Sequence, residues 1–158
     1  MGTDLHSSTS PLLDSILQGT RLEVVVDKIE STSPTECYEA WLEHVWLGGG
    51  GLGPASVVTE GEARTGKGCI RRVGCCIHEE ILDVVFGEHV VYHVKSGPFP
   101  VQYHRGIVQF IPEGEGCLVR WTCSYTPICC CGVIVSCTIK LSFRKMLSHL
   151  ANRIKDNK

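Results

Sequence analysis

Residues 132–155 read GVIVSCTIKLSFRKMLSHLANRIK. Ile139, Phe143, Met146, Leu147, Leu150 and Ile154 recur there every third or fourth position, which gathers them on one face of an α-helix. Lys140, Arg144, Lys145 and Arg153 fall off that face. The pattern predicts a helix that begins near Gly132 and continues past residue 154. At 1.5 Å per residue it would be ~30 Å long, enough to cross a small domain. A stripe of that length needs an equally long apolar surface to cover it, and the chain upstream has to supply one.

Strand signals dominate that upstream chain. Ala55 to Gly61, Gly68 to Cys76, Ile77 to Val85, Glu88 to Lys95, Val101 to Pro112 and Cys117 to Thr126 are the candidates. Phe86-Gly87, Ser96-Gly97-Pro98 and Glu113-Gly114-Glu115-Gly116 supply turns short enough for antiparallel neighbours. A further strand, Arg21 to Glu30, contains Val24-Val25-Val26, which favours the pleated backbone. Ser33-Pro34-Thr35-Glu36 then reads as a capping box with Pro in the first turn. The helix it starts runs to about Trp46, with Cys37, Tyr38, Trp41 and Val45 on one face. It ends in Gly48 to Gly51 and Gly53-Pro54, with a second short helical turn near Leu47 to Leu52. Residues 1–20 read as a flexible tail, in which Ser10-Pro11 could start a short helix carrying Leu12, Leu13, Ile16 and Leu17. Strands segregated from helices in this order predict an α+β domain over residues 21–158. In it a curved antiparallel sheet of about seven strands wraps the long helix.

The bulk composition agrees. The chain has 158 residues, 43% hydrophobic and 20% charged, with a formal net charge of -2. That is globular composition, and it exerts no strong overall pull on nucleic acid or anionic lipid. The basic bias is confined to the last helix. The longest apolar run, Pro127 to Ile139, is shorter than the ~20 residues of a membrane span. Ten cysteines raise the question of disulfides or metal. No signal-peptide pattern precedes them. Cys75-Cys76 and Cys129-Cys130-Cys131 are adjacent rather than spaced as zinc ligands. They read as small apolar residues of a reducing, cytoplasmic compartment, and neither a metal nor a cofactor is expected.

The element order resembles the helix-grip superfamily of START domains, birch-allergen-like proteins and the polyketide cyclase/dehydratase family. Gly61-Glu62-Ala63 followed by Gly68-Cys69-Ile70-Arg71-Arg72-Val73 is similar to wording of the plant polyketide-cyclase-like branch, which includes lachrymatory factor synthase. Tyr103-His104-Arg105-Gly106-Ile107 and Val119-Arg120-Trp121 look like its later strands. The resemblance spans about Leu22 to Ile154 and implies a cavity between sheet and helix. It also implies that Arg71 stands where the synthase branch has a catalytic arginine. Two features depart from it. The glycine run Gly48 to Gly53 precedes the second strand, and it lacks the Lys and Ser/Thr of a phosphate loop. The gate-loop wording of abscisic acid receptors is missing between Val73 and Glu79.

Alternation along the strands sorts the candidate residues. Arg71 and Val73 share a face with Cys69; Tyr92 pairs with Val94; His104, Val108 and Phe110 form a set with Gly106; Trp121, Cys123 and Tyr125 form another with Val119. With Trp46 and the helix residues Ile139, Phe143 and Leu147, these make the expected ligand-binding set. Arg71 could bind a carboxylate or steady an oxyanion, held or assisted by Glu79 or Glu80; equally, that ion pair could be structural. His104 could be a general acid or base, or a hydrogen-bonded core histidine. Arg71, Glu80 and His104 are the expected catalytic residues if there is chemistry. A nucleophilic Cys123–His104 pair is conceivable from neighbouring strands, without protease-like wording to support it. Two functions follow: a carrier or sensor of a small apolar molecule (lipid, sterol or polyketide-like), or a cofactor-independent cyclase, dehydratase or isomerase acting in the same cavity. An interaction module without a pocket is a third.

Overall fold

The structure is a computed structural model and describes residues 18–157. The expected tail up to residue 17, with the short helix proposed inside it, lies outside the described residues. Residues 18–20 run along the sheet, where the Gly19 amide donates to Ser124 Oγ at 2.7 Å and the Thr20 amide to Thr126 Oγ1 at 3.2 Å.

Seven strands form one antiparallel sheet: β1 (Arg21–Ile29), β2 (Ala55–Thr59), β3 (Ile70–Val73), β4 (Ile77–Val85), β5 (His89–Ser96), β6 (Val101–Glu113) and β7 (Gly116–Pro127). Their order is β1-β7-β6-β5-β4-β3-β2. Each of β2 to β7 lies beside its chain neighbour, and β1 closes on β7. Between β1 and β2 lie α1 (Pro34–Ala40), a π-helical continuation (Trp41–Leu47) and a short turn over Gly49–Gly51. The long helix, α2 (Gly132–Asp156), ends the chain.

The local chemistry behind each helix is visible. Ser33 Oγ accepts from the Glu36 amide at 3.2 Å, and Glu36 Oε2 accepts from the Ser33 amide at 2.7 Å. Two otherwise orphaned donors at the start of α1 are thereby satisfied. The glycine run lets backbone approach α2 closely. A Cβ on Gly50, whose φ is +60°, would sit 2.6 Å from Met146 Cγ. On the buried side of α2, the Glu23 carboxylate of β1 accepts from Ser136 Oγ at 2.5 Å and Tyr125 Oη at 3.2 Å, and Lys140 Nζ pairs with it at 2.9 Å. Burial pushes the pKa of Glu23 up, but these three partners outweigh it and leave the carboxyl below its usual range.

Strict alternation fails in β4, where the register with β5 shifts between Ile81 and Asp83. This bulge lets Ile81 and Val84 both pack on the core, three residues apart, and it bends the sheet. The buried stripe of α2, from Ile139 to Ile154, meets inward residues of β1 and β4 to β7 in one apolar core. Val91, Ile107 and Leu82 form a small separate cluster.

Candidate functional site

The core is solid at one end. Trp41, Trp46 and Trp121 are fully buried there, with Trp41 5.7 Å from Trp121 and 6.0 Å from Trp46 between ring centroids. Trp121 stacks on Phe143 of α2 at 4.3 Å and 17°, and donates from Nε1 to Tyr92 Oη at 2.9 Å. Beyond Phe143 the packing stops and a cavity of about 180 Å³ remains. Its floor is Tyr92, His104, Arg71 and Glu79; its apolar walls include Val73, Val94, Ile139 and Phe143; Leu52, Ile77, Phe99, Thr138, Ser142, Met146 and Gly49 complete the lining. A shallow outer depression of about 590 Å³ lies between Tyr38, Leu42 and Phe86.

The expected set therefore divides. Arg71, Val73, Tyr92, Val94, His104, Ile139 and Phe143 reach the cavity. Val108, Phe110, Trp121, Cys123 and Tyr125 face inward as alternation requires, and Trp46 and Leu147 do so from helical segments, but the structure places all seven in the packed core instead of the cavity lining. Alternation tells which face a residue takes; it does not tell where along the strand bulky rings have filled the space. Leu52, Ile77, Phe99, Thr138 and Ser142 line the cavity without being among the expected residues, and Met146 joins them from the expected helix stripe. Ile77 is in phase with Ile81 and could have been found that way, and Ser142 and Met146 flank Phe143 on the helix. Phe99 sits in a turn, where no periodicity marks it.

Arg71 is committed elsewhere. Its Nη1 donates to the Val45 and Trp46 carbonyls at 2.6 and 2.7 Å, the orphan acceptors at the end of the π-helical segment. Its Nε donates to Glu79 Oε2 at 2.7 Å, its Nη2 pairs with the same oxygen, and the guanidinium lies 4.1 Å over the Trp46 ring. Only 3% of the residue is exposed. Four of five donors are thus used, and Glu79 cancels the charge. The carboxylate in the site is Glu79. Glu80, expected as a catalytic candidate, is on the opposite face, where it accepts from Lys95 at 2.9 Å and His93 at 3.3 Å. The parity of Ile81, which is fully buried, puts Glu79 inside and Glu80 outside.

His104 Nδ1 accepts from the Val94 amide at 3.3 Å, which assigns the ring proton to Nε2. Burial pushes the His104 pKa down to about 4; Glu79 opposes the shift, and His93 and Arg105 add to it. A neutral imidazole results. Tyr92 accepts the Trp121 bond and keeps its own proton, its pKa pushed well up by burial and by Glu79. Gly106, directly opposite Tyr92 in the sheet, makes room for that ring, since a Cβ there would lie 2.3 Å from it. Cys123 pairs with Gly106 rather than with His104, and burial pushes its thiol up, so a thiolate nucleophile is not formed there. The cavity thus offers neutral donors beside a self-neutralised ion pair. Among the described residues no cluster of three or more His, Cys, Asp or Glu could hold a metal.

The architecture and its cavity can now be set beside solved structures. Protein XoxI from Bacillus cereus superposes with a TM-score of 0.71 at 16% identity, covering 86% of this chain and 96% of that one. Ara h 8.0201 gives 0.67 at 9%, covering 86% and 99%. CalU16 from Micromonospora echinospora gives 0.60 at 10%, covering 86% and 80%. This is the helix-grip fold. No family model matches the chain and no curated protein matches it in sequence, so the likeness is one of fold. The helix-grip expectation, with its seven antiparallel strands, short helix after the first strand and long closing helix, holds. No helix among the described residues is long and apolar enough to cross a membrane.

Proposed function

We propose that this helix-grip protein binds a small neutral molecule with an apolar body and one hydrogen-bond-accepting oxygen, as a carrier or sensor. The observation that carries this reading is the half-open cavity of about 180 Å³, whose unspent polar groups are neutral donors. A void of roughly 150 Å³ takes up a single aromatic ring, so a one-ring or short-chain ligand fits and a sterol would need the tryptophan core to move. The Arg71–Glu79 pair argues against an anionic ligand, which would face the Glu79 carboxylate. The wording around Arg71 supports kinship with the polyketide cyclase/dehydratase-like branch and with lachrymatory factor synthase, and the free thiols support a cytoplasmic setting. The enzyme reading rests on His104 and Tyr92 sharing one wall. A histidine with a pKa of about 4 is a weak base and a serviceable neutral donor, which favours binding over proton abstraction.

Calorimetry with 4-methylacetophenone and its anionic counterpart 4-methylbenzoate tests the proposal. The ketone is expected to bind one site and the anion much more weakly. Phe143→Trp should fill the void and weaken the ketone. His104→Phe should cost the ketone about fivefold, one hydrogen bond's worth, while sparing p-xylene. Tighter binding of the benzoate, or indifference to Phe143→Trp, would overturn the assignment.

A further inference from the structure

The solvent side of α2 exposes an apolar stripe. Val133, Ile134 and Leu141 are 68%, 68% and 65% exposed. Cys130 and Cys137 are exposed beside them, and Ile128 leads into the helix, also exposed. At 100° per residue, positions 133, 134, 137 and 141 form one stripe opposite the buried stripe of the same helix, and Cys130 lies in the turn before it. The stripe continues into Arg144 and Lys145, both exposed. From Gly132 to Lys155 the helix carries no acidic residue and five basic ones: Lys140, which pairs with Glu23, and Arg144, Lys145, Arg153 and Lys155.

We propose that this face of α2 docks on an anionic membrane surface, with Val133, Ile134, Cys137 and Leu141 entering the interface and Arg144 and Lys145 meeting lipid headgroups. An exposed apolar stripe marks an interaction site, and the neighbouring basic residues choose the partner. Apolar insertion together with anionic attraction is what holds an interfacial helix at a bilayer. A protein partner of ordinary interface composition would not require an acid-free run of this length. Thr138 and Ser142, which line the cavity, directly follow Cys137 and Leu141, so docking brings the cavity side of the helix near the lipid. The inference goes beyond the ligand proposal and does not depend on it.

Sedimentation of the full chain with vesicles tests it, comparing phosphatidylcholine alone with phosphatidylcholine containing phosphatidylserine. Binding is expected to the anionic vesicles and to weaken as salt is raised. Ile134→Glu combined with Val133→Glu should abolish it. Arg144→Glu and Lys145→Glu should each lower it about fivefold or more, from the ~1 kcal/mol a basic residue gains at such a surface. Val58→Glu, at a 55% exposed apolar position on β2, should leave it unchanged. Circular dichroism confirms that each variant is folded, and Ile134→Ser replaces the double variant if it is not. No binding of the unaltered chain to anionic vesicles, an equal loss in Val58→Glu, or a dimer in sizing experiments that Ile134→Glu splits without affecting vesicle binding would each overturn the proposal.

Discussion

His104 shows what one side chain gains and loses by burial. Its inward direction follows from alternation with Val108 and Phe110, but its neutral state follows from the depth at which β6 sets it. An ordinary histidine titrates near 6.5, and this one near 4. Between those values the unfolded chain takes up a proton that the folded chain refuses, so stability is fully present above pH ~6.5 and falls as pH drops toward ~4. The shift corresponds to about 3 kcal/mol. Urea denaturation of the unaltered protein is expected to show this decline between pH 6.5 and 4.5, and His104→Gln should flatten it. An undiminished slope in the variant would assign the decline to another group. Glu79 teaches the complementary lesson: adjacent carboxylates at 79 and 80 have opposite fates, and the parity of Ile81 separates them.

At the scale of elements, the helix starts and the strand turns are local and legible. The Ser33-Pro34-Thr35-Glu36 cap has both of its reciprocal hydrogen bonds. Ser33→Ala should cost about 1 kcal/mol, read as a lower urea midpoint with an unchanged slope; no change would mean that solvent caps α1 equally well. What the residues of α1 do not announce is its passage into a π-helical segment at Trp41. That geometry aims the Val45 and Trp46 carbonyls at a guanidinium 25 or 26 positions away. Arg71 is thus a tie between the helical segment and β3, which the strand pattern alone could not distinguish from a ligand-binding arginine.

For the whole molecule, stability rests on the apolar core shared by sheet and helix. All ten cysteines are free, including Cys75 and Cys76, whose sulfurs lie 3.0 Å apart in the β3–β4 turn. Thermal melting in the presence and absence of reductant is expected to give the same cooperative transition, because no crosslink restrains the unfolded chain. A Tm that falls on adding reductant would show that a disulfide carries part of the stability. The basic bias of the last helix also belongs to this scale, since packing of α2 leaves Arg144 and Lys145 exposed beside Val133, Ile134 and Leu141.

The periodicities of 3.6 and 2 in residues 132–155 and 55–126, with Gly and Pro turns between them, determined by themselves the helix-grip element order and the inward face of the regular strands, though not that of the bulged β4, because those signals are local. Tertiary structure decided how much of that interior stays empty. Cavity volume is what remains after Trp41, Trp46, Trp121 and Phe143 have packed, and it depends on where the β4 bulge bends the sheet and how closely Gly50 lets its loop approach Met146. Such distances join residues far apart in the chain, and no spacing within a single element records them.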